Sequence, residues 1–307
     1  MGQTLEIVFW GVRGSIPVSR SDALGYGGST SCVEVIGDNG QRIVFDGGSG
    51  IHPLGNQYMK EGFPQDLSIL ITHAHWDHIQ GLPFFVPAFI PGNRMTFYGC
   101  NQGATLFEDV LKSQMETPYF PVKLSSWMAD IRIESIGESV VDLNGMKIES
   151  SYAEHPGMTL GFRLDYKGKR IVYFPDNELF AKFDMEKVFV ERDMNDEDLD
   201  METVFLEDQK RKFFSFIGGA DVLIHDAQYM PEEYGSKIGW GHSHFEMTVR
   251  AAIYGKVKHL VLFHHDPSRS DTDIENIVKS SRRIALERGS SMEITAASQN
   301  DPRLVLA

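Results

Sequence analysis

The sequence predicts a layered α/β domain with mixed β-sheets, and three features of the chain lead to this prediction. Its 307 residues contain many short apolar segments separated by glycine-containing turns, which is typical of strands. The turns at 37–40 and 166–169 have the composition of tight hairpin loops, so the strands that flank them should pair antiparallel. Two segments with helical periodicity lie between the later strands. Hairpins combined with interleaved helices favour a mixed sheet over a purely parallel one.

The predicted elements are short and spread evenly along the chain. The predicted strands cover residues 6–10, 31–36, 42–46, 67–72, 147–153, 160–166, 170–174, 221–225, 258–263 and 292–296. The predicted helices cover residues 245–254 and 274–287. Since the sequence contains no short repeat or low-complexity stretch, we predict a single domain over residues 1–307.

The charge of the chain is strongly negative and unevenly distributed. The formal charge is -14 at pH 7, which argues against a nucleic-acid partner because phosphates would be repelled. Residues 184–208 contain eleven acidic and two basic side chains, so we predict an acidic insertion at about 180–210. The segment also contains apolar residues such as Phe189 and Phe205, which favours an exposed insertion with its own apolar face over a disordered linker. Whether it covers a site, contacts a partner subunit or is a solvated excursion stays open.

Composition also bears on the compartment of the protein. No segment approaches the length of a membrane span, and the start of the chain lacks the features of a signal peptide. Cys32 and Cys100 are the only cysteines, too few for a disulfide framework. We therefore expect two buried, reduced thiols in a cytoplasmic protein without a membrane partner.

A dense group of potential metal ligands follows the predicted strand 67–72. Residues 73–78 read His-Ala-His-Trp-Asp-His, so His73, His75, Asp77 and His78 lie within one tight turn. Neutral imidazoles and carboxylates are the ligands that suit zinc and similar divalent ions. The sequence therefore predicts a metal site at the end of this strand.

This HxHxDH pattern at a strand end resembles the hallmark of the metallo-β-lactamase superfamily. The resemblance extends over nearly the whole chain and favours the branch of tRNA 3′-processing endonucleases (tRNase Z) and cyclic-nucleotide phosphodiesterases. It implies an αββα sandwich of two pseudo-equivalent halves, with a dinuclear metal site along one edge. Zinc is the metal implied for both positions, with manganese as the alternative. Members of the branch commonly form homodimers, so a homodimer is implied as well.

Three further positions resemble the remaining ligands of this family. His155 precedes a glycine–aromatic strand, as the third-motif histidine does. Asp176 ends a strand like the family's bridging carboxylate, although its neighbours depart from the family's Gly-Asp-Thr. His264 resembles the last ligand, with His265 left open as the alternative. The resemblance thus implies one ion on His73, His75 and His155, a second on Asp77, His78 and His264, and Asp176 between them.

Two short motifs resemble the acid–base pair of the tRNase Z branch. Asp226, in His-Asp-Ala at 225–227, stands where the branch has the glutamate of its "HEAT" motif. His242, in Gly-His-Ser at 241–243, resembles the histidine of "GHS/T". The resemblance implies that Asp226 orients His242, which protonates the leaving oxygen, and that Asp77 also belongs to the catalytic set. His244 stays open as an alternative acid.

Two residues outside these motifs are candidates for supporting roles. Arg13, in a glycine-containing segment, either meets an anionic substrate or has a structural role. Asp46 is expected to orient a metal-binding histidine without being a ligand itself.

The resemblance implies hydrolysis of a phosphodiester bond. We expect a small cyclic nucleotide as the substrate, because the chain is acidic and has no match to the basic Gly/Pro-rich arm with which tRNase Z grips tRNA. A tRNA 3′-processing nuclease is the alternative. A thioester or lactone hydrolase of the same fold is a further alternative, which should lack the pair Asp226 and His242.

Overall fold

Two seven-stranded β-sheets form the centre of the fold. The structure is a computed structural model that describes residues 4–63, 66–181, 183–190 and 200–306. The strands are β1 (Leu5–Gly11), β2 (Cys32–Gly37), β3 (Arg42–Phe45), β4 (Leu67–Leu70), β5 (Arg94–Gly99), β6 (Asp130–Ser135), β7 (Val140–Leu143), β8 (Met146–Tyr152), β9 (Leu160–Tyr166), β10 (Lys169–Phe174), β11 (Val222–Asp226), β12 (His259–Phe263), β13 (Glu293–Ala296) and β14 (Arg303–Leu306). One sheet has the order β14-β1-β2-β3-β4-β5-β6, and the other has the order β13-β12-β11-β10-β9-β8-β7.

Helices cover the outer face of each sheet. Within the described residues they are α1 (Ile51–Glu61), α2 (Trp76–Ile79), α3 (Phe107–Ser113), α4 (Met185–Val188), α5 (Met201–Ile217), α6 (Pro231–Tyr234), α7 (Phe245–Tyr254) and α8 (Asp271–Glu287), with short 3₁₀ turns at Leu82–Phe84, Val86–Phe89 and Leu124–Ser126. Buried residues of α1 and α3 pack on the first sheet. Buried residues of α5, α7 and α8 pack on the second sheet. The predicted α/β fold, an αββα sandwich with mixed sheets, is confirmed.

The core between the sheets contains a group of stacked aromatic rings. The ring centroid of Phe45 on β3 lies 5.6 Å from that of Phe162 on β9 and 5.2 Å from that of Tyr173 on β10. Phe263 on β12 contacts Tyr173 edge-on at 5.6 Å. All four side chains are almost completely buried. Because Phe45 comes from one sheet and its partners from the other, these contacts tie the two sheets together close to the strand ends that carry the site.

The local predictions agree with the structure in most places. Strands β2 and β3 pair antiparallel across the turn at 37–40, and β9 pairs with β10 across the turn at 166–169. Helix α8 begins at Asp271, three residues earlier than predicted, because Ser270 caps it. The Ser270 hydroxyl accepts a hydrogen bond from the Asp273 amide at 3.2 Å, and the Asp273 carboxylate accepts one from the Ser270 amide at 2.9 Å. This reciprocal pair extends the helix beyond its first apolar residue.

The described flanks of the predicted acidic insertion are helical. Asp184 and Asp200 cap α4 and α5, accepting hydrogen bonds from the amides of Glu186 and Thr203 at 2.9 and 2.7 Å. Carboxylates at helix N-termini are favourable because they pair with amides that have no partner within the helix. Val188 and Leu206 are buried with residues of α7. Residue 182 and residues 191–199 of the insertion lie outside the described residues, and the extent of the insertion stays a prediction.

Two further expectations concern cysteines and membrane spans. Cys32 and Cys100 are both free and buried, as expected from the sequence. Among the helices that the structure describes, none is long and apolar enough to cross a bilayer.

Candidate active site

The candidate site lies where the carboxyl ends of several parallel strands meet. Strands β3 and β4 are parallel in one sheet, and β10, β11 and β12 are parallel in the other. His73 follows β4, Asp176 follows β10, Asp226 ends β11 and His264 follows β12. His155 joins them from the connection between β8 and β9. Residues far apart in sequence therefore converge on one edge of the sandwich, the usual position of sites in open α/β sheets.

A first group of potential ligands consists of His73, His75, His155 and Asp176. The Nε2 atom of His155 lies 3.0 Å from Nδ1 of His75 and 3.7 Å from Oδ2 of Asp176. The Nε2 atom of His73 also lies 3.7 Å from Oδ2 of Asp176. His75 is exposed, so the group is open to solvent on that side. Burial holds the pKa of His73 well below its usual range, so its imidazole is in the neutral form that binds metals.

A second group consists of Asp77, His78, His264 and the same Asp176. The Nε2 atom of His264 lies 3.1 Å from Oδ2 of Asp77 and 3.3 Å from Oδ1 of Asp176. The Nε2 atom of His78 lies 3.0 Å from Oδ1 of Asp176. The Ser15 amide donates to Oδ2 of Asp77 at 2.7 Å and fixes that carboxylate. Every predicted metal ligand thus falls into one of the two groups, in the division that the resemblance implies.

The two oxygens of Asp176 face different groups, and this arrangement fits two metal ions. Ligands about 2.0–2.1 Å from a tetrahedral ion lie roughly 3.3 Å from one another, close to the separations found here. Nε2 of His73 and Oδ1 of Asp176 are buried and have no hydrogen bond. Burial opposes ionisation of Asp176, but the imidazoles of His264 and His78 hold its pKa well below the usual range. Two buried lone pairs without a donor are expected in a site shaped for cations.

The structure separates the two adjacent histidines that the sequence left open. His264 lies in the second group, while Nε2 of His265 lies 2.9 Å from the carbonyl oxygen of Ala297, outside both groups. His264 has a left-handed backbone with φ of 58°, which turns its side chain into the site. Its Nδ1 lies 2.8 Å from Oε1 of Gln228, so Nε2 points at the other ligands. A Cβ at Gly14 would lie 2.3 Å from the same Nδ1, which explains a glycine there.

Asp46 supports the second group from behind. Its Oδ2 lies 2.8 Å from Nδ1 of His78 and accepts a hydrogen bond from the Tyr173 hydroxyl at 2.9 Å. Its Oδ1 accepts hydrogen bonds from the amide and the hydroxyl of Thr72 at 2.8 and 2.9 Å. Asp46 is fully buried and belongs to neither ligand group. A carboxylate on the rear nitrogen of an imidazole fixes its tautomer and orientation, as the sequence predicted for this residue.

A loop clamped by Glu178 holds His155 in the first group. The Glu178 carboxylate accepts hydrogen bonds from the amides of Gly239 and Gly241, both at 2.8 Å, and from the Tyr234 hydroxyl at 2.8 Å. The carbonyl oxygen of Gly241 lies 2.8 Å from Nδ1 of His155, so Nε2 is the nitrogen that faces the other ligands. A Cβ at Gly241 would lie 2.1 Å from Nδ1 of His155. The backbone of the loop at Gly241 is therefore in close contact with the imidazole of His155, and no side chain larger than that of glycine fits between them.

Asp226 and His242 form a buried pair beside the two groups. Nδ1 of His242 lies 3.0 Å from Oδ2 of Asp226, which also accepts from the Ser243 amide at 3.1 Å. Oδ1 of Asp226 accepts from the Gln228 amide at 2.9 Å. Burial alone would lower the pKa of His242, but the neighbouring Asp226 carboxylate raises it to about 9. Asp226, His242 and His264 also form a third, overlapping set of possible ligands.

His244 and Arg13 have structural contacts in place of the active-site roles considered for them. His244 caps α7, its Nδ1 accepting from the Met247 amide at 3.4 Å. Burial lowers the pKa of His244 to about 4, so its imidazole is uncharged at neutral pH and lacks the acidic imidazolium proton that a general acid needs. Arg13 is fully buried and donates to the carbonyl oxygens of Gly27 at 2.8 Å and Arg269 at 3.0 Å. Contact between Arg13 and an anionic substrate is therefore excluded by burial.

Sequence reasoning missed the residues that orient the ligands. Glu178 and Gln228 are each two residues beyond a predicted site residue, Asp176 and Asp226. This short spacing could have identified them as candidates, because residues that follow a strand end by two positions also lie near the site. Their partners, Gly241 and His264, are distant in sequence, and no local pattern connects them.

The family described as "Beta-lactamase superfamily domain" matches residues 41–212, more than half of the chain. The chain therefore belongs to the β-lactamase superfamily, and it is a hydrolase with the metallo-β-lactamase fold. The His/Asp groups described above are its candidate metal centre.

Relatives with curated names point to a particular branch. Proteins named Ribonuclease Z from Thermoplasma acidophilum and Sulfolobus acidocaldarius are each 24% identical to this chain, over 298 and 309 residues. The matches cover 89% and 91% of this chain and 90% and 93% of the relatives. The expectation that nucleic acid is unlikely as a partner is wrong in the light of these names. The net charge misled because it is an overall quantity that says little about the surface around one site.

Solved structures share the fold over nearly the full length. The metallo-β-lactamase fold protein YhfI from Bacillus subtilis has a TM-score of 0.66 at 15% identity and covers 99% of both chains. A diphosphatase from the PhnP family has a TM-score of 0.62 at 18% identity, covering 99% of this chain and 97% of its own. Human tRNase Z, short form, has a TM-score of 0.59 at 18% identity and covers 98% of both chains. At these identities the likeness concerns the fold alone.

Proposed function

We propose that this protein is a metal-dependent phosphodiesterase that cleaves RNA, of the tRNase Z type. The observation that carries the proposal is the arrangement of Asp176, whose two oxygens face two separate ligand groups next to the pair Asp226 and His242. Two cations can be held side by side there, with an acid–base pair at their edge. The names of the relatives support RNA as the substrate.

The metal ligands proposed are those that the two groups contain. His73, His75 and His155 would hold one divalent ion, and Asp77, His78 and His264 would hold the other, with Asp176 shared. Zinc suits this set of imidazoles and carboxylates, and manganese is the alternative. Bound divalent ions supply Lewis-acid polarisation of the phosphoryl oxygens and a water of lowered pKa.

The protein's own residues provide the proton that the leaving group needs. The Asp226 carboxylate raises the pKa of His242 to about 9, which favours the protonated imidazole, and Asp226 holds it through Nδ1. Nε2 is therefore the nitrogen that would donate a proton to the departing ribose oxygen. Asp226 is itself fixed by backbone amides of Gln228 and Ser243, which keeps it from rotating away. A thioester or lactone hydrolase has no need of this pair, so its presence favours phosphodiester chemistry.

The acidic segment is compatible with an RNA substrate because ion pairs neutralise part of its charge. Glu186 pairs with Arg250 at 2.6 Å, and Glu207 pairs with Lys210 at 2.6 Å. The Asp184 carboxylate accepts a hydrogen bond from the Glu186 amide at the N-terminus of α4. These contacts weaken the argument from charge for a cyclic nucleotide, and that preference is not confirmed.

A substrate panel tests the proposal. Metal-replete protein should cleave a 3′-extended tRNA precursor, and chelation or His73→Gln should abolish the cleavage. His259→Gln is the matched control, because His259 lies outside the site, with Nε2 2.8 Å from the Thr295 hydroxyl. Hydrolysis of cyclic nucleotides without cleavage of RNA would overturn the choice of substrate. Activity confined to nitrocefin or a thioester would overturn the phosphodiesterase assignment.

A further inference from the structure

A cleft adjoins the first ligand group on the side of His155. It has a volume of about 320 Å³, and His155 itself contributes to its lining. Part of its wall comes from Ile238 and Gly239 of the loop clamped by Glu178, and another part comes from Phe183 and Phe205. Since His155 belongs both to the ligand group and to the cleft, a molecule bound at the metal groups can extend into the cleft by about one nucleotide unit.

The wall formed by Phe183 and Phe205 presents an aromatic surface. The ring centroids of the two residues lie 6.2 Å apart at an interplanar angle of 38°. Phe205 is 49% exposed although it is a large apolar side chain next to a site. Phe180 is buried and also lines the cleft. A flat apolar face that is left accessible in this way suits the π-face of a planar ring such as a nucleobase.

Polar groups in the cleft complement the edge of a base better than a phosphate. Glu154 and Gln209 line it, and Nε2 of Gln209 lies 3.3 Å from Oε1 of Glu154. Glu178 also lines it, but its carboxylate already accepts hydrogen bonds from the clamped loop. The exposed carboxylate of Glu154 repels a second phosphate but accepts hydrogen bonds from exocyclic amino groups of bases. The base rather than the backbone is therefore the part of a nucleotide that fits.

We infer that this cleft binds the unpaired nucleobase of a nucleotide flanking the scissile phosphate, stacked on Phe205 and facing Glu154 and Gln209. The inference rests on the proposed function, since it requires an RNA substrate. A base within a duplex cannot leave its stack to enter such a cleft without a cost, so the site selects single-stranded RNA ends. This assigns the C-terminal flank of the acidic segment, which carries Phe205, a role in substrate recognition.

The test uses full-length, metal-replete protein and RNA substrates that are either intact or abasic at each nucleotide flanking the cut. Wild-type protein should lose roughly 5- to 150-fold in kcat/KM on one of the abasic substrates, as expected for a lost base–aromatic stack. Phe205→Ala should show a similar loss on intact RNA and little further loss on that abasic substrate. Phe205→Tyr, which keeps the ring, should retain activity. Met201→Ala is the matched control, because Met201 is 85% exposed on the same helix and outside the cleft.

Hydrolysis of bis-p-nitrophenyl phosphate separates the possible failures. The circular dichroism spectrum and the metal content of each variant verify that it is folded. The small diester is used only with the wild type, because its planar nitrophenyl rings suit the same aromatic wall. The cleft is not a base site if Phe205→Ala leaves RNA cleavage unchanged, or if it reduces cleavage of intact and abasic RNA equally. Either result would leave the proposed function unaffected. Wild-type protein that hydrolyses the small diester but no RNA would overturn both.

Discussion

Nδ1 of His242 lies 3.0 Å from Oδ2 of Asp226, and both side chains are buried at the edge of the candidate metal groups. Asp226 accepts further hydrogen bonds from three backbone amides, so the carboxylate is fixed before any substrate binds. The imidazole is thereby held with one nitrogen on the carboxylate and the other available to a substrate. This relationship leads to the first prediction.

His242→Ala should reduce kcat on RNA by about 10²–10⁴-fold, because a ribose alkoxide leaves poorly without a proton. The loss on bis-p-nitrophenyl phosphate should be much smaller, since nitrophenolate leaves readily unaided. Asp226→Asn should act in the same direction more mildly, because it only orients and supports the imidazole. Steady-state kinetics on both substrates measure the difference.

The control for this prediction is His244→Ala, which removes a helix cap and leaves the pair in place. Equal losses of His242→Ala on both substrates would assign His242 to metal or phosphate binding. A silent His242→Ala with an impaired His244→Ala would move the acid to His244.

Asp46→Asn should weaken metal affinity by roughly 10–100-fold, because the amide is a poorer partner for Nδ1 of His78. Competition with a chromophoric chelator measures the affinity. Glu34→Gln is the matched control. Glu34 is a buried carboxylate of the same sheet that contacts the Tyr58 hydroxyl at 2.7 Å and no metal ligand. Similar metal affinities in both variants would show that Asp46 does not orient His78.

Gly241→Ala should disrupt the first ligand group, because the new Cβ would lie 2.1 Å from Nδ1 of His155. Gly239→Ala is the control: Gly239 has a similar φ of 86°, but a Cβ there meets open space. Both variants should lose about 1–2 kcal/mol of stability from the left-handed backbone. Only Gly241→Ala should lose bound metal, as measured by elemental analysis. Full metal content in Gly241→Ala would disprove the close fit.

Arg13→Lys should lower the free energy of unfolding by about 1–3 kcal/mol while leaving KM unchanged, because the buried guanidinium binds backbone carbonyls and not substrate. Chemical denaturation and kinetics provide the two readouts. Arg20→Lys, at an exposed arginine in the same segment, should change neither. A raised KM with unchanged stability would restore the substrate-binding role for Arg13.

Much of the fold was predictable because its strands are short apolar runs with local turn signals. Helix α7 occupies the predicted residues 245–254, and β9 the predicted residues 160–166. Strand β6 was missed although its residues alternate polar and apolar, because it lies at a sheet edge, is mostly exposed and contains only two apolar residues. Helix α5 was missed because it begins inside the acidic segment 184–208, whose composition predicted an insertion, although Glu202 in its first turn is favourable at a helix N-terminus.

The potential metal ligands could be predicted from the sequence better than the residues that orient them. His73, His75, Asp77 and His78 share one turn, so a local pattern reveals them. Glu178 contacts the backbone of Gly239 and Gly241, more than sixty residues away, and such contacts exist only in the folded chain. The choice between His264 and His265 likewise depends on a backbone turn after β12 that the sequence does not specify.

Metal content tests the central claim most directly. Protein loaded with zinc or manganese and then desalted should retain close to two ions per chain, one for each ligand group. Asp176→Ala should reduce the content and abolish hydrolysis of every diester, because both groups share this carboxylate. His259→Gln, outside the site, should retain the wild-type content. Wild-type protein that binds no divalent ion in the absence of chelator would contradict the dinuclear site and every step derived from it.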